Sequence, residues 1–592
     1  MISPSRPSAP LRSAAVLIVM ALAPLWLVGI FCRGLWTPDE PREADIAWRM
    51  SWQSDRALPQ LAGRPFLEKP PLSYWMSAAA LSQWGDSPGS ARLPNALYAV
   101  TAAVSLGALT LELGTDVGAA VIAALVALSA LTVYRVSVWL APDACLLAGC
   151  AVALLGVWRG YRAAPGVRKA AGYTLMHLGA AIGFMAKSAP GWLVPALALG
   201  ALIAWERRWS ELRRWELYAP FALQALLIGP WLLAVARSAH GAESLQTLFW
   251  HNLVGRFTHV SASADLDYTR GHRNFPGKYL LELPLYLLPW TLLAAAALVR
   301  AWQRARQPDG TAWRFALAAS LPFLLLLSLA ATARDVYAAP ALLGFGALVG
   351  LWAHEVQRSP SALDRLALRS SRWLAGSLTL ALGCALLILA AAGEGPASGC
   401  IAAALVGVTL ALCGLLCAAR AQTLGQVQQS LGWTYTAYLA ALTVIALAAL
   451  PVIDRWQDLP SLARRIHADT AAQTLALLDP DETTIAILDH GLSTPVTLLT
   501  SGGDTTGSAD PAGARHVVGA WLASHGGQAR VLVLLPGHAP GHLSRWLERF
   551  HHFAPPGDGL AADVIASGTA ALVERYELPQ GRRYALLGPP HP

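Results

Sequence analysis

Between Trp36 and Trp75 the chain reads WTPDEPREADIAWRMSWQSDRALPQLAGRPFLEKPPLSYW, a density of charge matched almost nowhere else in its first half. Asp39, Glu40, Arg42, Glu43, Asp45 and Arg49 crowd one end, and Glu68-Lys69 sits at the other. A carboxylate placed like Asp39, just ahead of the helix-forming run that starts at Pro41, can cap free backbone N–H groups. It can equally take a proton from a bound hydroxyl. Glu68 and Lys69 close an extended piece, where adjacent side chains point opposite ways and need not pair. Their plainest role is an exposed, weakly stabilising ion pair. Asp143, after Trp139-Leu140-Ala141-Pro142, opens an apolar segment and reads either as its cap or as a further acid at the same depth.

The elements that must position these groups are membrane helices. In 592 residues, 55% are hydrophobic and 14% charged, with a mean hydropathy of +0.44, which excludes a soluble multi-domain enzyme. Apolar runs recur up to residue 451, each long enough to cross a bilayer, and in lipid such runs must be helical. About thirteen spans are expected, near 13–32, 93–113, 117–134, 143–158, 172–188, 190–205, 216–235, 284–300, 315–331, 338–353, 374–393, 399–418 and 434–451. The first resembles a signal peptide, but its length and the poor cleavage site at Cys32-Arg33-Gly34 favour an uncleaved helix. The net charge of +8 gathers in short loops (Arg159 to Lys169, Arg207 to Arg214, Arg300 to Arg314, Arg358 to Arg372), as topogenic cytoplasmic loops require; no nucleic-acid role is implied. With the N-terminus inside, the outer loops 33–92 and 237–283 share one side, and the odd count leaves everything after Pro451 there too. The fold expected is therefore a polytopic α-helical membrane domain over 1–451 and a soluble α/β domain over 452–592. In the latter, Thr484 to Leu488 and Ala529 to Leu535 read as strands, and Leu459 to Leu478 and Gly541 to Phe553 as helices. The seven cysteines lie in or beside apolar segments and read as packing residues, while His538, His542, His551 and His552 read as surface groups.

Three motifs carry a resemblance: D-E-x-R-x-A-x-I-A at Asp39 to Ala47, F-x-E-K-P-P-L-x-Y-W at Phe66 to Trp75, and A-R-L-P at Ala91 to Pro94. With them the chain resembles the GT-C glycosyltransferases that use a polyprenyl-phosphate-linked sugar, in particular the bacterial lipid A aminoarabinose transferases. Two later stretches agree. In FWHNLVGRFTH (Phe249 to His259), followed by Pro289-Trp290, the residues His251, Asn252, Arg256 and Phe257 resemble the family's His-Asn and Arg-Phe pairs and proline-rich span entry. Arg334, Tyr337 and Pro340 match K/R-x-x-Y-x-x-P, although the usual second proline is Leu343, so the substrate pocket departs from the typical one.

The resemblance implies inverting transfer of a sugar, 4-amino-4-deoxy-L-arabinose or a related sugar, from undecaprenyl phosphate to lipid A or another envelope acceptor. A protein acceptor, as in mannosyltransferases of the same fold, is the alternative, and a lipid or sugar transporter a more distant one. Asp39 then becomes the base, since a phosphate leaving group needs no general acid. One base opposite the leaving group gives inversion, unlike the paired carboxylates of retaining hydrolases. Asp143 joins the active cavity, and Glu40 and Arg42 support the acceptor side. Lys69, Lys187, Arg256, Arg334 and Tyr337 hold the donor phosphate, as permanent cations and a hydroxyl donor would. Glu68 orients the acceptor or, with His251, holds a divalent metal such as zinc. No nucleotide cofactor is implied. The expected setting is a multi-pass monomer of the bacterial inner membrane with its site facing the periplasm.

Overall fold

The computed structural model describes residues 8–254, 275–330, 334–391, 434–435, 437–439, 441–442, 445–492, 495–502, 510–536 and 558–590. The span predicted at 399–418, Arg256, the four histidines from His538 to His552 and the helix predicted at Gly541 to Phe553 all lie outside them.

The first helix, α1 (Ser8–Phe31), leads into the charged loop, where α2 (Glu40–Trp52) and α3 (Leu72–Trp84) flank a short hairpin of β1 (Gln60–Leu61) and β2 (Arg64–Pro65). Composition sets the polarity of α2: Pro41 near its start, Glu40 and Glu43 in the first turn and Arg49 in the last all suit the helix dipole. Ser87 then caps α4 (Pro88–Glu112), its side chain accepting the Ser90 N–H, and Asp116 caps α5 (Val117–Ser129) in the same way through Ala119. The span predicted as 117–134 is broken. Helix α5 gives way at Ala130 to α6 (Leu131–Val138) with a 73° bend. The break is held by the Leu131 N–H on the Leu288 carbonyl at 2.8 Å and the Trp290 indole on the Ser129 hydroxyl at 2.9 Å.

Helix α7 (Asp143–Arg162) runs away from the charged loop and α8 (Val167–Lys187) returns to it, before α9 (Pro190–Glu206) leaves again. Small residues let α7 and α8 touch along their length: a Cβ on Gly156 would run into the Met176 backbone, and one on Gly172 into that of Gly160. This close pairing returns Lys187 to the level of Asp143. Among the described residues, six helices are long and apolar enough to cross a membrane, or seven if the bent pair α5–α6 is one span.

Past the membrane helices, among the described residues, five strands form a mixed sheet in the order β4-β3-β5-β7-β6. Strand β3 (Thr474–Leu478) is parallel to β4 (Thr497–Leu499) and β5 (Ala529–Leu534), while β7 (Arg583–Gly588) is antiparallel to β5 and β6 (Ala571–Glu577). Two expectations fail here. Thr484 to Leu488, rich in β-formers, is helical (Glu482–Asp489), because the Asp481 carboxylate accepts the Thr484 N–H at 2.9 Å and starts a helix against local propensity. The predicted helix Leu459 to Leu478 stops at Asp469, and its last five residues are β3, at the middle of the parallel part of the sheet. This α/β unit does not stand apart. Ile46, Met50, Phe66 and Tyr74 of the charged loop share one apolar core with Leu462, Leu477, Ile485 and Leu586. The loop and the sheet therefore lie on the same side of the membrane helices.

Candidate active site

Five separate stretches of chain meet at one cleft. Asp39 comes from the start of α2, Glu68 and Lys69 from the turn before α3, Asp143 and Lys187 from the α7 start and the α8 end, and Arg334 and Tyr337 from the entry to the helix Ala339–Val356. Arg135 and Trp139, at the end of α6, complete the walls. Asp39 occupies the N-cap position of α2 but makes no capping bond. Its carboxylate instead receives both arms of Arg334, at 2.5 and 3.3 Å, and one of Arg42 at 3.4 Å. Arg334 is steadied from behind by the Tyr279 hydroxyl, which bonds both its N–H and its carbonyl at 3.1 Å. Lys187 donates to Asp143 at 2.5 Å and lies 4.5 Å from the centre of the Tyr337 ring.

One expectation about this loop is corrected. Glu68 and Lys69 do not point apart: the segment before Pro70-Pro71 is a turn, so both side chains face the cleft, 3.5 Å from one another. Lys69 also donates to Glu43 at 3.0 Å.

Among the described residues, the cleft is lined by four cations (Lys69, Arg135, Lys187, Arg334) and three carboxylates (Asp39, Glu68, Asp143). Burial on its own would raise the Asp39 pKa; Arg42, Arg334 and Lys69 outweigh it and hold the carboxyl well below the usual range. The reverse applies to Lys69. Burial lowers its pKa, and Glu43 and Glu68 more than restore it, so it stays charged. Asp39 is thus an ionised but clamped carboxylate.

Glu40 and Arg42 lie behind the cleft rather than on its wall. Glu40 is fully buried, forked by Arg92 (2.9 Å on each oxygen) and by Arg33, and it also accepts the Leu140 and Trp36 N–H groups at 2.8 and 2.9 Å. Every lone pair is used, so Glu40 supports the loop and has nothing left for an acceptor. Arg42 joins Asp39, Glu43, Glu68 and Glu482. Of the remaining expected residues, Arg256 lies outside the described residues, as does the side chain of His251. Among the described residues, no three His, Cys, Asp or Glu side chains form a metal-binding group, and Glu68 already has Lys69 and Arg42 beside it.

Sequence reasoning missed Arg135, Arg33, Arg92 and Glu482. Arg135 stood one residue past a predicted span, and Arg92 lay inside the A-R-L-P motif, so both left a signal. Arg33 was visible only as part of a poor cleavage site, and Glu482, 440 residues from Arg42, left none.

The profile of the dolichyl-phosphate-mannose-protein mannosyltransferase family matches residues 14–245. The undecaprenyl phosphate-alpha-4-amino-4-deoxy-L-arabinose arabinosyl transferase of Pseudomonas aeruginosa is 30% identical over 381 residues, 64% of this chain and 65% of that protein. The transferase of the same name from Edwardsiella ictaluri is 32% identical over 348 residues, 58% of this chain and 59% of its own length. The chain therefore spans just under two thirds of the curated relatives it matches. Among solved structures, ArnT from Cupriavidus metallidurans bound to undecaprenyl phosphate superposes with a TM-score of 0.69 at 19% identity, covering 98% of each chain. The chain resembles the aminoarabinose transferases in sequence and has the GT-C membrane fold of the Cupriavidus protein.

Proposed function

We propose that this chain is a glycosyltransferase that moves a sugar from undecaprenyl phosphate to an envelope acceptor with inversion, and that the pair is 4-amino-4-deoxy-L-arabinose and lipid A. The observation that carries the reading is the convergence of Asp39 with Lys69, Lys187, Arg334 and Tyr337 at one cleft. A lipid phosphate keeps its tail in the bilayer and its anionic head at the ends of spans, where these groups lie. The names of the sequence relatives supply the sugar and the lipid carrier.

The chemistry follows from the charge balance. Arg334 forks onto Asp39. The donor phosphate gives Arg334, Lys69 and Lys187 another anion to hold, and Asp39 regains basicity as its cations turn away. Asp39 then takes the proton of the acceptor hydroxyl while that oxygen attacks the anomeric carbon. The sugar–phosphate bond breaks on the opposite face, and the departing phosphate keeps the electron pair. The fixed cations stabilise the charge growing on that phosphate, which ties them to rate as well as affinity. Asp143, paired with Lys187, holds that lysine at the right depth.

The same proposal includes the full count of about thirteen spans, a monomeric enzyme in the inner membrane and a site facing the periplasm. A divalent ion on Glu68 and His251 is its separable part, and no step above runs through it. Exhaustive chelation that leaves turnover intact removes the ion from the account. The match of residues 14–245 to the mannosyltransferase family favours a protein acceptor as the second reading. Mass analysis of lipid A and of envelope proteins from cells with and without the chain decides between them. A pentosamine adduct on lipid A that depends on the chain supports the first reading, a chain-dependent protein glycan supports the second, and identical extracts contradict both.

A further inference from the structure

The apolar core shared by the charged loop and the α/β unit is accompanied by polar contacts on both flanks of Asp39. Upstream, Asp454 accepts from the Gly34 N–H and the Trp36 indole at 2.9 and 2.7 Å, and Gln457 accepts from the Thr37 N–H at 2.9 Å. The Thr483 hydroxyl donates to the Pro38 carbonyl at 3.2 Å, on the residue next to Asp39. Downstream, Glu482, at the first position of its helix, meets Arg42 in the closest ion pair that this arginine makes. Arg42 is buried, and its other carboxylates are Glu43 at 2.6 Å, Asp39 at 3.4 Å and Glu68 at 4.0 Å. Lys69 already engages two of these, Glu43 and Glu68.

We infer that Glu482 of the α/β unit is a positioning residue for the reaction: it takes up part of the pairing of Arg42 and so limits how tightly this second guanidinium holds Asp39. The inference rests on the reading of Asp39 as the base. A buried arginine deprived of one partner shifts its pairing onto those that remain. Without the Glu482 charge, Arg42 has Asp39 and Glu43 within reach, and a tighter Arg42–Asp39 pair makes Asp39 a weaker base. The surroundings behind the cleft would also be one negative charge poorer, which favours an anionic lipid head. Rate and affinity should therefore move apart, whereas mere loosening of the interface would weaken both.

The test uses the full chain in lipid nanodiscs, with undecaprenyl phosphate as the binding probe, its aminoarabinose derivative as donor and lipid A as acceptor. In Glu482→Gln, turnover should fall about tenfold, as a loss of one pKa unit of basicity implies. Affinity for undecaprenyl phosphate should stay level or tighten, and amide exchange over residues 38–43 should speed up. Glu482→Asp, which keeps the charge, should recover most of the turnover. Parental turnover with parental exchange overturns the inference, and so does undecaprenyl phosphate affinity that falls in step with turnover. If the parent chain transfers no sugar, the proposed function fails on its own. The exchange result then decides the link: faster exchange in Glu482→Gln sustains it and unchanged exchange removes it.

Discussion

Asp39 and Glu40 are adjacent carboxylates with opposite surroundings. Glu40 is sealed, with two arginines and two backbone N–H groups filling its oxygens and no exposed surface. Asp39 keeps 13% of its side chain exposed, faces a cleft and is held most closely by Arg334, which itself reaches into that cleft. A saturated buried carboxylate fixes a fold, because nothing can approach it and removing it strands its partners. A carboxylate whose partners are shared with an open cleft can exchange them for a ligand. The same side-chain chemistry, one residue apart, therefore serves structure in one case and, in the proposed mechanism, the reaction in the other.

Breaking each member of the pair should separate the two roles. Glu40→Gln leaves Arg33 and Arg92 buried without their counter-charge, at a cost of about 3–5 kcal/mol. The expected result is a large drop in the thermal unfolding temperature or loss of membrane-inserted protein; a parental melting curve contradicts the sealed-knot reading. Arg334→Lys sharpens the other side. It keeps the charge but loses the fork that grips either Asp39 or phosphate, so turnover should fall on the order of 10-fold with the melting temperature near the parent's. Equal turnover in the two proteins would show that the fork is not used.

A smaller effect concerns how firmly the α/β unit sits on this pair. His490 donates to Asp86 at 2.9 Å and approaches Asp45 at 3.5 Å; burial lowers its pKa, but these two carboxylates raise it overall to about 9. A histidine whose folded pKa lies above its unfolded value stabilises fully below that unfolded value, about 6.5, and loses the contribution as pH rises through the folded one. Limited proteolysis of the α/β unit should therefore be slow at pH 6.5 and faster at pH 10. His490→Gln should remove most of that pH dependence. A variant whose proteolysis responds to pH as the parent's does would assign the effect elsewhere.

The sequence made the Asp39 side of the pair more legible than the Glu40 side. Asp39, Glu68, Lys69, Asp143, Lys187, Arg334 and Tyr337 were all named from motifs and span ends, and all line the cleft. They could be read because ionisable groups beside apolar spans are few, and topology puts alternate span ends at one depth. Glu40 looked like a second acceptor-side acid because its partners Arg33 and Arg92 are brought to it by packing, not by spacing. Long-range contacts carry the rest. Neither the turn that swings Glu68 beside Lys69 nor the helix that delivers Glu482 follows from local propensity, and Thr484 to Leu488 even favoured a strand. Hydropathy marked where apolar runs lie but not where they break, as the bend at Ala130 illustrates.

Asp39→Asn gives the most direct test, with transfer and binding measured on the same preparation in nanodiscs. The side chain keeps its size and loses its negative charge and, with it, the ability to take a proton. The expected result is a melting temperature within a few degrees of the parent, undecaprenyl phosphate bound at least as tightly because Arg334 is released, and sugar transfer reduced by about 10²-fold or more. Transfer at the parental rate, with the asparagine confirmed in place, would contradict it.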